Sequence, residues 1–542
     1  MKNIILCSDG TGNKGGYGED TNVYKVYKAV DIHNEKIEQI TFYDQGVGTD
    51  KSDTNKNKYR TALSGAFGFG FEANVLHLYH FLARSYSPGD SVFLFGFSRG
   101  AATVRAFAGF INACGLIDRN DPSFQKNGFF DEDEFRKRVN EAFICYKSDK
   151  IAQDTFKNKY ALKDQDYAPN GNLKIKFIGV WDTVSALGFP KDFSKAVEWF
   201  FDLADRLSDK IWPHSFYDYE LNPSIENAYH ALSIDDERTT FHPKVWNEKN
   251  LAVWDEIKGA GTGHVEQVWF AGVHSNVGGG YPRTGLSDVA LDWMITKAEA
   301  HGLIICNDHK TEIKESANLH DKLYDSRDGV ALYYRYGPRN LEEFCQDKLR
   351  GKVAIHVSAY EKIKDISDAY APDGLPSRFD VVDIDRTAPA APAILRAVNV
   401  APAEQETWTA LKAEMVKYIK NRELLYRVFV EVTMLILIVS GILWTYPPES
   451  VIGLLSSPKG GFLANVADIL KYFTPVYFEN FITYVVCVQP LIFPVMLAVL
   501  FFMNRLRKRF TDKLDVTCRE MCALLPPLFV TEPGRERSDN DR

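Results

Sequence analysis

The stretch FLFGFSRGAA, residues 93–102, decides how the rest of the sequence is interpreted. Within it, residues 96–100 (GFSRG) fit the pattern Gly-x-Ser-x-Gly, which in hydrolases places a nucleophilic serine on a strained turn between a strand and a helix. Glycine and serine are common residues, so the pentapeptide by itself is weak evidence. The flanking sequence must show whether a strand precedes Ser98 and a helix follows it.

The residues on either side supply that context. SVFLF is an apolar run that follows the turn residues 88–90 (PGD), and RGAATVRAFAGFINAC places Ala, Val and Phe at helical spacing before a glycine stop. The elbow glycines Gly96 and Gly100 lack a β-carbon and so leave room for a tight turn around Ser98. A helix that begins at Arg99 points its first backbone N–H groups at the oxyanion that forms when the serine attacks a carbonyl.

A nucleophilic serine needs a base and an orienting acid, which α/β hydrolases carry in the chain order Ser, Asp or Glu, His. Asp182 ends the apolar run KFIGVWD and His274 ends QVWFAGVH, so both are expected at the carboxyl ends of strands. His274 is also followed by the glycine-rich loop SNVGGGYP. We therefore predict Ser98 as nucleophile, Asp182 as acid and His274 as base. Asp288 and Asp292, in LSDVALDW, stay as alternative acids.

Four other histidines are predicted to be structural. His77 and His80 lie three residues apart on an apolar helix, but no third metal ligand accompanies them. His230 and His242 flank SIDDERTTF, and neither is followed by a glycine-rich loop. We therefore predict neither a metal site nor an organic cofactor.

The first strand, IILCSD, is followed by a second glycine motif. Residues 10–15 (GTGNKG) match a dinucleotide-binding fingerprint, but that fingerprint requires a helix to open within the glycines. Two further glycines follow, so a helix begins well only near Thr21 and a dinucleotide site is not expected. The loop fits better beside the elbow, where the backbone N–H of Gly10 or Thr11 completes an oxyanion hole with that of Arg99.

Composition bounds the class of protein. The 542 residues are 45% hydrophobic and 25% charged, which is typical of a globular protein with a substantial core and roughly two to four domains. The net charge of −8 argues against a nucleic-acid partner. The eight cysteines include no Cys-x-x-Cys pair, which favours a reducing compartment. The N-terminal MKNIILCSDG has too short an apolar run for a signal peptide.

Strand-like and helical stretches alternate up to about residue 300, which predicts an α/β fold. We expect an α/β-hydrolase-like, mainly parallel sheet in a catalytic domain that covers residues 1–385. Residues 118–170 and 189–230 are expected as helical insertions. Residues 386–427 begin with an Ala- and Pro-rich segment and are expected to form a linker and a juxtamembrane helix.

Two apolar stretches near the C-terminus predict a transmembrane hairpin, with residues 428–446 and 481–504 as its spans. Pro490 and Pro494 are expected to be tolerated within the second span. Ten Lys and Arg residues lie at the outer ends of the two spans and two lie in the loop between them. By that bias both termini, the catalytic domain and a basic, then polar tail at 505–542 are cytoplasmic. The alternative is a pair of buried core helices.

Several motifs resemble a known family when taken in order: SDGTGN, TNV at 21–23, YDQGVGT at 43–49, GFSRGAATVRAFAGFI, GVWDTV, HALSIDDERTTFHPKVW and WFAGVHSNVGGGYP followed by LSDVALDWM. Over roughly residues 2–295 the chain resembles the α/β-hydrolase family that includes the type VI secretion phospholipase effectors of the first lipase class. The resemblance implies a serine esterase of phospholipase A type with Ser98, Asp182 and His274 as its triad. Many members carry Trp where this chain has Gly12, and secreted effectors need no membrane hairpin.

The sequence thus predicts a membrane-anchored serine hydrolase that cleaves acyl esters of glycerophospholipids, with membrane phospholipids as its partner. One alternative is an esterase or thioesterase that acts on a soluble acyl substrate, and another is an idle hydrolase fold that serves as a membrane-tethered binding module. A lipase beside its own bilayer would endanger the host, so a regulatory or inhibitory protein is expected. An apolar helical stripe that starts at Phe193, beside Trp199 and Phe201, is either a core helix or a lid over the acyl pocket.

Overall fold

The computed structural model describes most of the chain, namely residues 1–46, 70–163, 173–185, 219–222, 224–248, 265–326, 337–348, 353–365, 367–384, 392–456, 461–472, 474 and 476–527. The described residues divide into two units. The first, here called the catalytic unit, includes the described parts of Met1–Lys191, Phe201–Trp408 and Cys522–Arg542. The second, here called the hairpin unit, includes those of Thr409–Met521.

The catalytic unit is built on one nine-stranded sheet. Its strands are β1 (Asn3–Ser8), β2 (Gln39–Asp44), β3 (Ser91–Phe97), β4 (Ile175–Trp181), β5 (Ala228–Ser233), β6 (Val265–Phe270), β7 (Ala354–His356), β8 (Arg378–Ile384) and β9 (Pro392–Asn399). They lie in the order β9-β8-β7-β6-β5-β4-β3-β1-β2. Every neighbouring pair is parallel except β8 and β9, which are antiparallel. The predicted α/β fold with a mainly parallel sheet is confirmed.

Helices connect these strands. They are α1 (Asn22–Ala29), α2 (Phe71–Ser85), α3 (Arg99–Cys114), α4 (Glu132–Tyr146), α5 (Lys150–Tyr160), α6 (His274–Gly278), α7 (Gly285–Ala300), α8 (Asn307–Ser316), α9 (Leu341–Lys348) and α10 (Val357–Lys364). Helices α4 and α5 lie in the expected insertion at 118–170, each capped by an aspartate that accepts a backbone N–H, Asp131 and Asp149.

Helices cover both faces of the sheet, which explains why the central strands are apolar along their whole length. Ile4, Leu6 and Leu94 point to one face and are buried against α2 and α3. Ile5 and Phe95, at the alternating positions, point to the other face and are buried against α1 and α7. β3 lies between β1 and β4, so the elbow that follows it stands near the middle of the carboxyl edge.

The segment expected to be a linker contains the edge strand β9. Its first residue is Pro392, and an edge strand accepts proline there because no ladder hydrogen bond is lost. The backbone of β9 pairs with β8 in antiparallel register from Arg378 to Ile384, with a shift in register between Val381 and Val382. The sheet therefore extends beyond residue 385, past the boundary expected from the Ala- and Pro-rich composition.

The hairpin unit consists of helices. They are most of α11 (Gln405–Thr445), then α12 (Glu449–Ser456), α13 (Phe462–Tyr472), α14 (Glu479–Thr483), which continues as a π-helix at Tyr484–Val488, and α15 (Ile492–Ala523). By length and composition, the stretch Pro402–Thr445 can cross a membrane, with a mean hydropathy of 2.2 in its most apolar window. Val476–Val488 and Ile492–Ala523 pass the same test only as one bent pair, with an angle of 105°.

The expectation of one continuous helix over 481–504 is therefore wrong. The π-helix ends at Val488, and Gln489 takes an extended φ of −123° and ψ of 66°. Pro490 imposes this break because it has no N–H to donate and disfavours a helical residue before it. Pro494 falls in the first turn of α15, where a backbone N–H has no helical partner, so it does not interrupt that helix.

Candidate active site

Ser98 stands on the turn between β3 and α3, as the sequence predicts. Its φ of 58° and ψ of −121° are rare for a residue with a side chain. Such strain persists only where the surroundings fix it, and it is the geometry of a nucleophile elbow. The Ser98 N–H donates to the carbonyl of Trp181 at 3.1 Å, so Ser98 lies beside the end of the neighbouring strand β4.

Both elbow glycines are required by close backbone contacts. A β-carbon on Gly96 would lie 2.6 Å from the carbonyl oxygen of Gly100. One on Gly100 would lie 2.1 Å from the carbonyl oxygen of Ser8 and 2.5 Å from that of Asp9. The helix that follows Ser98 can therefore approach the end of β1 only because position 100 has no side chain.

The structure brings Asp182 and His274 together. Asp182 directly follows β4, His274 follows β6 and starts α6, and Nδ1 of His274 lies 2.6 Å from Oδ2 of Asp182. Both side chains are buried. The imidazole also packs on Phe97, the residue before Ser98, with ring centroids 4.6 Å apart. Nε2 of His274 is buried and has no hydrogen-bond partner among the residues that the structure describes.

The charges around this pair hold it in a state suited to proton transfer. Burial alone would raise the pKa of Asp182, but the Arg339 charge and hydrogen bonds from His274 and Arg339 outweigh it and lower the pKa well below its ordinary value. Burial lowers the pKa of His274 from 6.5, despite the opposing effect of Asp182. At neutral pH the acid is thus ionised and the imidazole is neutral, so it can accept a proton.

The first alternative acid is engaged elsewhere. Asp288 lies on α7, where Oδ1 is 2.6 Å from Nζ of Lys25. Its other oxygen accepts hydrogen bonds from the hydroxyls of Thr284 and Ser316. Asp288 therefore ties α7 to α1 and α8, whereas the carboxylate that accepts the hydrogen bond from His274 is that of Asp182. Asp292 lies one helical turn further along α7.

Arg339 is a site residue that the sequence analysis missed. Its fully buried guanidinium binds Asp182 in bidentate fashion, with Nη1–Oδ1 at 2.6 Å and Nη2–Oδ2 at 2.9 Å. It also donates to the carbonyls of Ser233, Asp236 and Phe241. Arg339 follows Asp182 by 157 residues and belongs to no apolar periodic segment, so no sequence signal connects the two.

The motif SIDDER supports His274 from its backbone side. The Asp236 carboxylate accepts a hydrogen bond from the backbone N–H of His274 at 3.1 Å and forms an ion pair with Arg238 at 2.6 Å. Its neighbour Asp235 accepts the N–H of Gly272 at 2.6 Å and the hydroxyl of Tyr370 at 2.7 Å. Burial raises the pKa of Asp235 to about 6. Two adjacent aspartates just after a strand were the sequence feature that could have predicted this support of His274.

The loop after β1 lies against the nucleophile, but one predicted oxyanion donor is engaged. A β-carbon on Gly10 would lie 3.1 Å from Cβ of Ser98. The Gly10 N–H, however, donates to Oδ1 of Asp9 at 2.7 Å, so the prediction for this N–H is not supported. Thr11 then stays as the candidate donor from this loop, together with Arg99 at the first position of α3.

Asp9 organises that loop. Besides the Gly10 N–H, its carboxylate accepts the hydroxyls of Thr21 and Tyr43, each at 2.7 Å. Burial raises the pKa of Asp9 and that of Tyr43. The network fixes both ends of the glycine-rich segment, since Thr21 caps α1. No helix opens within the glycines, as the argument against a dinucleotide fingerprint requires.

The four histidines predicted as structural have structural surroundings. His80 pairs with Glu132 at 2.7 Å, and His77 lies 3.5 Å from Asp44. His230 is fully buried in β5, where its Nε2 accepts the N–H of Thr183. Nε2 of His242 donates to the Gly337 carbonyl at 3.0 Å. The stripe that starts at Phe193, predicted as a core helix or a lid, lies outside the described residues, as do Trp199 and Phe201.

A serine on a strained strand-to-helix turn, next to a buried Asp–His pair at the ends of parallel strands, defines an α/β protein with a hydrolase-type site. Residues 2–297 match the family model "T6SS, Phospholipase effector Tle1-like, catalytic domain", and the chain belongs to that family. The family indicates a lipid-hydrolysing enzyme of the phospholipase or esterase class.

Two individual proteins are also similar. Uncharacterized protein YEL023C of Saccharomyces cerevisiae is 28% identical over 250 residues, which are 44% of this chain and 32% of that protein. The matching part of the chain thus spans about a third of the length of this curated relative. A crystal structure of an uncharacterized protein from Pseudomonas aeruginosa is 18% identical, with a TM-score of 0.32, over 79% of this chain and 59% of that one.

Proposed function

We propose that the protein is a membrane-anchored serine hydrolase that cleaves acyl ester bonds of glycerophospholipids, as a phospholipase A does. The observation that carries the proposal is the 2.6 Å contact between His274 and Asp182 beside the strained elbow of Ser98. Membership in the Tle1-like phospholipase effector family supports a phospholipid substrate. What we propose is the role of each triad residue and the identity of the substrate.

In the proposed first half-reaction, Oγ of Ser98 attacks the ester carbonyl while Nε2 of His274 takes the hydroxyl proton. The imidazolium that forms is stabilised by Asp182, which is ionised and receives its Nδ1–H. The backbone N–H groups of Arg99 and Thr11 stabilise the negative charge on the former carbonyl oxygen. The C–O bond then breaks, His274 returns the proton to the departing alcohol, and the lysophospholipid leaves an acyl group on Ser98.

In the second half-reaction, water attacks the acyl-serine and His274 again acts as base. Collapse of this second tetrahedral intermediate releases the fatty acid and restores the Ser98 hydroxyl. Every step uses proton transfer within the triad, so the reaction as proposed needs no redox partner. The strained turn places Ser98 at the carboxyl edge of the sheet, where open α/β sheets bind their ligands.

Membrane anchoring is the second part of the proposal. The apolar half of α11 carries large exposed side chains, among them Leu435, Ile438 and Ile442, the first two 60% exposed. Such a surface is unfavourable in water and is typical of a lipid-facing helix. The excess of Lys and Arg at the outer ends of the apolar segments supports a cytoplasmic catalytic unit.

The test is covalent labelling followed by product analysis. The full chain in detergent should react with a fluorophosphonate probe at Ser98, and Ser98→Ala should abolish both labelling and hydrolysis without changing the fold. Mass spectrometry of mixed phospholipids should show matched lysophospholipid and fatty acid. Labelling without phospholipid products, but with hydrolysis of short soluble esters, would keep the hydrolase and reject the substrate. A folded Ser98→Ala protein with full activity would reject both.

A further inference from the structure

The hairpin unit contains a groove between α11 and α15 that the proposed reaction does not use. Tyr418 of α11 packs on Phe510 of α15. Nζ of Lys513, also on α15, lies 5.4 Å from the centre of the Tyr418 ring. Further along α11, Val432 lines a cavity with Val495. Residues further along α11 therefore lie beside residues earlier in α15. The two helices are antiparallel, and the groove between them runs along both.

One end of this groove is apolar. A cavity of about 330 Å³ lies between the helices, and all of its lining side chains are apolar, for example Val432, Ile436, Val495, Met496 and Val499. The volume is within the range of ligand pockets. The site lies in the segments that composition marks as able to enter a membrane. In a membrane, the apolar groups that can fill this cavity are the acyl chains of lipids.

The other end of the groove is polar and carries an ordered set of charges. A cavity of about 830 Å³ is lined on α15 by Arg505, Lys508 and Arg509 on the side nearer to the apolar cavity. Arg505 follows the last apolar lining residue, Leu500, by five positions, which is about 7.5 Å along a helix. None of these three cations has a carboxylate within 4 Å among the residues that the structure describes.

Carboxylates line the far side of the same cavity. Asp512 and Glu520 follow the three cations on α15, and Glu414 faces them from α11. Lys513 lies among them. A ligand that enters from the apolar end therefore meets positive charge first and negative charge beyond it. The first zone suits one phosphate, and the second repels any additional phosphate but accepts hydrogen bonds from hydroxyl groups.

We propose that this groove binds one glycerophospholipid whose headgroup has a single phosphate and donates hydrogen bonds, as phosphatidylglycerol does. An acyl chain lies along Val432 and Val495, the phosphate contacts Arg505, Lys508 and Arg509, and the headgroup hydroxyls face the carboxylates. The inference rests on the proposed membrane anchoring but not on catalysis, because the groove consists only of residues of the hairpin unit. It assigns the hairpin a lipid-binding site separate from Ser98.

The test measures lipid binding to the full chain with Ser98→Ala, so that no lipid is hydrolysed. Native mass spectrometry in detergent should show phosphatidylglycerol bound, and Lys508→Gln with Arg509→Gln should weaken binding about tenfold. The matched control is Lys417→Gln with Lys420→Gln, which removes the same charge from exposed positions on α11 outside the groove. The control should bind within about twofold of the parent protein.

Two comparison ligands sharpen the result. A phosphoinositide with additional phosphates should bind more weakly than phosphatidylglycerol, and glycerol phosphate, which has no acyl chain, should bind far more weakly. Equal loss in the groove variant and the control, tighter binding of the phosphoinositide, or equal binding of glycerol phosphate would each overturn the inference. Extraction of membranes with alkaline carbonate is measured in parallel. Resistance to extraction without lipid specificity rejects only this site, whereas release into carbonate rejects the anchoring.

Discussion

Nδ1 of His274 lies 2.6 Å from Oδ2 of Asp182, although 92 residues separate them in the chain. The contact forms because β4 and β6 flank β5 in a parallel sheet, so the residues that follow both strands meet at the same edge. Arg339 donates to both oxygens of the Asp182 carboxylate. The same carboxylate thus orients the imidazole and is itself fixed by a buried cation.

Asp182→Asn should lower the rate of ester hydrolysis by roughly 10⁴, because an amide cannot hold the imidazole in the required tautomer or stabilise the imidazolium. Asp288→Asn is the matched control, since that buried aspartate pairs with Lys25 instead. It should lower the thermal midpoint but leave the rate per folded molecule nearly unchanged. Steady-state rates, corrected for folded fraction, decide the point. A severe effect of Asp288→Asn with a mild one of Asp182→Asn would reassign the acid.

Arg339→Gln should destabilise the catalytic unit by about 3–5 kcal/mol, because it leaves a buried carboxylate with an unmatched charge. In the fraction that folds, Asp182 loses its competing cation and attracts the imidazolium more strongly. The pKa of His274 should therefore rise, and the acidic limb of the rate–pH profile should move to higher pH. Rates measured from pH 5 to 8 give this displacement.

Arg339→Lys separates electrostatics from structure. It keeps the charge next to Asp182 but cannot reproduce the bidentate contact, so stability should fall while the acidic limb stays near its original pH. If both variants lose stability and neither moves the limb, Arg339 supports the fold and has no influence on the base.

The sequence was most informative where a functional residue ends an apolar strand. Ser98, Asp182 and His274 could be chosen because a parallel sheet collects such positions at one edge. Arg339 could not be chosen, since its position depends on how a segment without periodicity folds back over that edge. The break at Pro490 depends on a single backbone N–H, which apolar composition does not reveal.

Gly100→Ala should abolish fluorophosphonate labelling and lower stability, although alanine is the better helix former by about 1 kcal/mol. The loss would come from the added β-carbon, which would lie 2.1 Å from the Ser8 carbonyl oxygen and push α3 away from β1. Unchanged labelling in a folded Gly100→Ala protein would contradict the close packing at the elbow.

Acid should destabilise the catalytic unit below about pH 6.5. Burial lowers the pKa of His230 and that of His356 to about 3, so the unfolded chain binds protons first as the pH falls. Their contribution to stability is complete above pH 6.5 and is lost progressively below it. At pH 5 each should cost about 2 kcal/mol.

The measurement is the thermal midpoint of the full chain at pH 7 and pH 5. His230→Gln should remove a large share of the difference between the two values, because the variant side chain does not titrate. His80→Gln is the control, since His80 is partly exposed and pairs with Glu132 on the surface. Equal pH dependence in the parent and the His230→Gln protein would show that this histidine does not govern acid stability.

The last prediction concerns how often the chain crosses the membrane. The bent helix pair allows either a second crossing or a loop that enters and leaves on one side. Residues beyond α15 decide between them, because Nζ of Lys364 binds the Leu525 carbonyl at 2.6 Å within the catalytic unit. The hydroxyl of Tyr360 binds the Pro526 carbonyl there as well.

If α11 crosses the membrane as proposed, the chain must therefore return to the side from which α11 departs, which requires an even number of crossings. With the basic residues at the outer ends, that side should be the cytoplasm. A reporter that is active only in the cytoplasm should work when fused to Arg542, and one that is active only outside should work near Lys459. A silent Arg542 fusion at normal protein level would overturn the orientation. Cytoplasmic signals from both positions would instead show that neither apolar segment crosses, and the hairpin would then lie on the membrane surface or in a soluble core.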